Sequence, residues 1–145
     1  MTKTHLLLTS LFFLTYWVQA QPLLMSNDSI AICGGIFTDS GYQNPYGENE
    51  EFTLTICSDA GGNSAASHIR LDFFDFDLGP GDTLYLYDGD SVDAPPFDLG
   101  FLASASGSFS IQATAANPTG CVTAVFRSDG VPTANAGWLA DVSCT

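Results

Sequence analysis

Apolar side chains recur at every second position in short runs along this chain, a spacing that fits strands rather than helices. In "EFTLTIC", Phe52, Leu54 and Ile56 face one way and Glu51, Thr53 and Thr55 the other. "HIRLDFF" sets Ile69, Leu71 and Phe73 inward, and "TLYLYDG" sets Leu84 and Leu86 against Tyr85 and Tyr87. "SFSIQAT", "CVTAVFR" and "GWLADVSC" group Phe109 with Ile111 and Ala113, Val122 with Ala124 and Phe126, and Trp138 with Ala140 and Val142. The phase changes after Phe73, because Phe74 and Phe76 are apolar on the opposite parity; a bulge or bend, or burial of both faces, accounts for such a shift. Between the runs lie "SDAGGNSAAS", "DLGPGD", "DGDSVDAPP", "NPTG" and "SDGVPTANAG", segments rich in residues that form turns. No helix of normal length and no internal repeat is visible. The fold class is all-β, a sandwich or barrel.

The first twenty residues stand outside that pattern. A lysine near the start, an apolar stretch from Leu6 to Val18 and the small-x-small end Val18-Gln19-Ala20 form a secretory signal peptide. The stretch is shorter than the roughly 20 residues a membrane span needs. Cleavage is expected between Ala20 and Gln21. Residues 21–32 then form a short leader, and residues 33–145 one domain, a size that supports a single core. Asn27-Asp28-Ser29 has the form of an N-glycosylation sequon.

An exported chain meets oxidising conditions, so Cys33, Cys57, Cys121 and Cys144 are expected to form two disulfides. Their gaps of 24, 64 and 23 residues do not suit a zinc site, which takes closely spaced pairs. Three connectivities are possible. The strand order favours nearest neighbours, Cys33–Cys57 and Cys121–Cys144.

The chain carries 16 acidic and 3 basic residues, for a net charge of -13. All the acids follow the signal peptide, where only Arg70 and Arg127 oppose them. Such a surface repels nucleic acid and anionic lipid and favours basic protein patches or divalent metal. Asp72 and Asp75 read as outward strand positions or partners of Arg70. Asp88, in Tyr-Asp-Gly, reads as a turn former, and Asp90 and Asp93 decorate the same loop. Catalysis is not indicated. With this many acids a carboxylate pair carries no signal, no Gly-x-Ser-x-Gly elbow is present, and His68 reads as a surface residue at a strand start.

The succession "CGGIFTDSG", "FTLTIC", "IRLDFFDF", "DTLYLYDG", "CVTAVFRSDG" and "GWLADVSC" resembles a CUB domain, and most of all the CUB modules of exported bacterial proteins. The resemblance covers Cys33 to Cys144. Tyr-Asp-Gly at 87–89, Phe-x-Ser-Asp at 126–129 and Gly-Trp at 137–138 are its most specific pieces. It implies an antiparallel jelly-roll-type β-sandwich that binds a protein or glycan and does not catalyse. It supports pairing Cys33 with Cys57. The second bridge of the animal pattern is absent, and Cys121–Cys144 would close a hairpin of the last two strands.

The resemblance also implies calcium near one end. Its ligands are a glutamate after the aromatic strand, an aspartate opening the next strand and an aspartate in the Ser-Asp loop. Position by position, the second is Asp82 and the third Asp129, while the first falls near Gly79, which has no side chain. Asp77, two residues earlier, is the substitute at hand. Calcium takes six to eight oxygens, which turns from different strands can supply together. Two solvated turn aspartates are the plainer alternative. The expectation is therefore a secreted binding module, calcium-assisted, that meets an extracellular protein with a basic patch, or a glycan. Tyr85, Tyr87, Phe74 and Phe97 are candidates for added apolar contact. The alternative function is an accessory domain of a larger exported enzyme or adhesin.

Overall fold

The computed structural model describes residues 21–59, 67–98 and 107–145. The expected signal peptide and Ala20 lie outside the described residues. Nine strands form two sheets. In chain order they are β1 (Leu23–Leu24), β2 (Asp28–Ala31), β3 (Ile36–Thr38), β4 (Glu51–Cys57), β5 (Ile69–Asp77), β6 (Thr83–Tyr87), β7 (Phe109–Gln112), β8 (Val122–Arg127) and β9 (Gly137–Cys144). One sheet has the order β1-β3-β9-β5-β7 and the other β2-β4-β8-β6. All pairings are antiparallel except the short edge pairs β1–β3 and β2–β4. The expected all-β sandwich is the fold observed, and the six quoted runs each hold a strand. The leader segment 21–32 contributes an edge strand to each sheet, and Met25 enters the core.

The core lies between the sheets, where the alternation places it. Leu54, Ile56, Ile69, Leu71, Phe73, Val122, Ala124, Phe126 and Trp138 are all buried. Phe37, Phe126 and Trp138 form one ring cluster, with centroids 5.0–5.5 Å apart. Phe73, Phe76 and Phe109 form another. The phase change in "DFFDF" is a bulge. The β5–β9 register slips between Phe73 and Asp75, which leaves Phe74 exposed and returns Phe76 to the core. One extra residue on a strand produces that displacement.

The disulfides are two in number, but the expected pairing is overturned. Cys33 joins Cys144, with Cα atoms 5.1 Å apart, and Cys57 joins Cys121 at 4.3 Å. The Cys121–Cys144 expectation took the last two strands for a hairpin. In the structure β8 and β9 belong to different sheets. Cys121 instead stands beside Cys57, because β4 and β8 pair with Ile56 opposite Val122. Cys33 crosses to the end of β9. Sequence separations of 64 and 111 make both large ring closures. The chain-entropy account gives each about 4–5 kcal/mol.

This arrangement makes two unlike ends. The end of β4, the starts of β5 and β8 and the end of β9 gather the cysteines at one pole. The turn after β5 and the loops before β4 and β9 form the other, which is acidic.

Candidate functional site

Three connections build the acidic pole: the loop from β3 to β4, the turn from β5 to β6 and the loop from β8 to β9. Gly79-Pro80-Gly81 makes the second a tight turn, closed by Asp82 N–H donating to the Gly79 carbonyl at 3.1 Å. Gly81 takes a φ of +95°, where a side chain is strained and a Cβ would run into the Asp129 carboxylate. The turn sequence thus lets two acids approach.

Asp82 is only 2 % exposed. Its Oδ2 accepts the Tyr46 hydroxyl at 2.5 Å, and its Oδ1 accepts the backbone N–H of Asp129 at 2.8 Å. The same Tyr46 oxygen accepts the Gly79 N–H at 2.7 Å. Tyr46 is itself buried, its ring edge-on to Phe126 with centroids 5.0 Å apart. Burial first, and the neighbouring carboxylate second, push its hydroxyl up to about 12, so it stays a proton donor. Asp129 Oδ1 accepts Val131 N–H, and the Asp129 carbonyl accepts Asn49 N–H, both at 2.8 Å. Ser128 ties the loops further, accepting Glu50 N–H and donating to the Gly47 carbonyl, each at 2.8 Å.

Of the sequence candidates, Asp82 and Asp129 are brought together. Asp77 lies at the end of β5 and accepts Asn135 Nδ2 at 2.7 Å, within a network that runs on to Thr133. At Gly79 a Cβ would sit 2.7 Å from Asp82 Oδ2 and 2.9 Å from Thr133 Oγ1. The place of the missing glutamate is therefore filled by its neighbours. Among the described residues, no three His, Cys, Asp or Glu side chains are grouped to hold a metal ion. Asp82 and Asp129 fit a hard cation in donor type, and fall short of a strong calcium site in the number of charges.

A third acid at this pole has no place among the expected ligands. Asp39 follows β3 and is fully buried. Its Oδ1 accepts the N–H of Gly41 at 2.7 Å and of Tyr42 at 3.1 Å, and its Oδ2 that of Trp138 at 3.2 Å. Burial raises its carboxyl above the usual range, against these donors. The Asx-turn pattern Asp-Ser-Gly after a strand was the signal that could have marked it. Tyr46 had no comparable signal, since nothing local in "NPYGENE" says that its hydroxyl is buried.

The other acids serve locally. Asp72 pairs with Arg70 at 2.6 Å, and the guanidinium holds its carboxyl below the usual range. Asp88 accepts Thr114 N–H, Thr114 hydroxyl and Asn117 Nδ2, a clamp that binds its turn to the β7–β8 connection. His68 lies at the cysteine pole, with Nε2 3.3 Å from the Asn117 carbonyl.

No family model and no curated protein matches the chain. Solved structures do match its fold. A MASP-1 CUB2 domain crystallised with Ca2+ superposes with a TM-score of 0.59 at 20% identity, over 81% of this chain and 98% of that one. The CUB1-EGF-CUB2 region of human MASP-1/3 gives 0.56 at 20%, over 83% of this chain and 43% of that one. The extracellular region of zebrafish Gpr126/Adgrg6 gives 0.62 at 16%, over 83% and 15%. The chain thus has a CUB-like fold; it spans nearly all of an isolated CUB domain and less than half of the two longer chains.

Proposed function

We propose that this chain is a secreted, non-catalytic CUB-like binding module, and that its acidic pole engages a basic patch on an extracellular protein. The observation that carries the reading is the Asp82–Asp129 juxtaposition. A buried carboxylate accepts the backbone N–H of a half-buried aspartate, and no lysine or arginine is paired to either among the described residues. Like charges this close favour a cation between them or opposite them. Calcium held by these two acids, with carbonyls and water completing its shell, would rigidify the loops; a partner's lysine would then meet the remaining negative field. Two carboxylates place the affinity at the weak end for extracellular modules, on the order of 10⁻³ M. That a similar domain was crystallised with Ca2+ supports the idea, and the two disulfides support export.

The test is a melt with and without calcium. At tenfold over such a dissociation constant, mass action adds about 1.4 kcal/mol of stability. Asp129→Asn should abolish the gain and reduce binding of a lysine-rich peptide, measured at about 0.15 M salt. A melting curve indifferent to 10-millimolar-scale calcium removes the metal (about ten times the constant above); peptide binding indifferent to Asp129→Asn removes the site. One observation favours a second reading, an accessory domain of a larger exported protein: two of the similar structures are longer chains that this one matches over less than half of their length. Sequencing the full transcript would decide between them.

A further inference from the structure

The four-stranded sheet has an outer face that the acidic pole does not use. Register sets three rows across it: Glu51–Arg127–Thr83, Thr53–Val125–Tyr85 and Thr55–Thr123–Tyr87. In the third row the two threonines are satisfied, because their hydroxyls lie 3.0 Å apart and Thr123 donates to the Gly89 carbonyl at 2.9 Å. Glu51 and Arg127 of the first row and all three residues of the second, with Tyr87 and the loop residue Val92, line a depression of about 480 Å³. That is within the range of small-ligand sites.

The chemistry of the lining is specific. The Arg127 guanidinium stands 6.0 Å from the centroid of Tyr85 and pairs with Glu51 at 2.9 Å, so the only basic group on this face among the described residues has a carboxylate beside it. The side-chain hydroxyls of Thr53, Tyr85 and Tyr87 make no hydrogen bond among the described residues. Both tyrosines are half-buried and stand on the same side of β6, which is an edge strand.

We infer that this face binds an uncharged glycan. Tyrosine offers an apolar ring face for the C–H face of a sugar and a hydroxyl for its rim. The planar guanidinium and the carboxylate beside it offer matched donors and acceptors to neighbouring sugar hydroxyls. A polyanionic glycan is disfavoured by the net charge of -13. A protein partner would want a desolvated apolar centre, and here the central aliphatic, Val125, is buried beneath polar neighbours.

The experiment is affinity electrophoresis of the whole chain through gels containing a mixed-linkage β-glucan, a xylan or a galactomannan, with pectate as the acidic control. At least one neutral polysaccharide should retard the protein and pectate should not. The paired change Tyr85→Ala with Tyr87→Ala should weaken retention by about tenfold. Val92→Asp, on an exposed loop where folding is not at stake, should weaken it too. Asp129→Asn and a calcium chelator should leave it unchanged, which separates this site from the acidic pole. The inference is overturned if no neutral polysaccharide retards the protein, if pectate retards it equally, if Val92→Asp retains full retention, or if Asp129→Asn abolishes it.

Discussion

The two poles of the sandwich are held by opposite means. At the cysteine pole, Cys33–Cys144 and Cys57–Cys121 tie strand ends across large ring closures, and the neighbouring polar groups are satisfied locally. At the acidic pole no covalent link exists among the described residues. Two buried carboxylates, Asp39 and Asp82, hold three loops by accepting N–H and O–H donors. A covalent link restrains the unfolded chain whatever the solvent. A buried carboxylate network holds only while each acceptor keeps its donors, and it responds to protons and cations. The acidic pole is thus held by contacts that depend on protonation, and the stapled one by bonds that do not.

The largest effect should come from the stapled pole. Replacing both Cys33 and Cys144 with alanine should lower stability in urea titrations by about 4–5 kcal/mol. A loss under about 1 kcal/mol would mean that the strand order alone closes that pole. Next is the acidic pole. Asp82→Ala strands the Tyr46 hydroxyl and the Asp129 N–H together, and should cost about 2–4 kcal/mol. Tyr46→Phe removes one charge-assisted bond and leaves Gly79 N–H unmet, for about 1.5–3 kcal/mol. If both variants melt like the parent, this network does not hold the pole, and the contrast between the ends collapses.

The smallest expected effect, a pH dependence, sharpens the comparison further. Burial raises the Asp39 carboxyl above its ordinary value of 3.8. An acid raised by folding contributes stability that is full below its unfolded value and lost as pH rises through its folded one. The stability of the parent relative to Asp39→Asn should therefore shift in the parent's favour as pH falls from neutrality toward 3.8, the ordinary value above. A shift in the opposite direction would mean that the Gly41, Tyr42 and Trp138 donors outweigh burial.

Most of the fold could be read from the chain because strand formation is written in local alternation. Leu54, Ile56, Leu71, Phe73, Leu84, Val122 and Phe126 all turn inward as their parity requires. Even the β5 bulge announced itself through Phe74 and Phe76. The candidate site was half legible. Asp82 and Asp129 stand in turns whose glycines are visible, but Tyr46 and Asp39 depend on burial, which no neighbouring residue reports.

The disulfide pairing shows where local reading stops. Four cysteines and an expected export signal pointed, from the sequence alone, to two bridges, since thiols brought within reach in an oxidising compartment pair. Which ends meet was decided only when β8 and β9 took places in different sheets, with Phe126 and Trp138 packed against each other across the core. The same holds for the acids. The sequence set their number and their turns, through residue types that act over a few positions. Only the tertiary structure buried Asp82 under Tyr46, because that contact joins residues 36 positions apart and exists once three loops have closed over it.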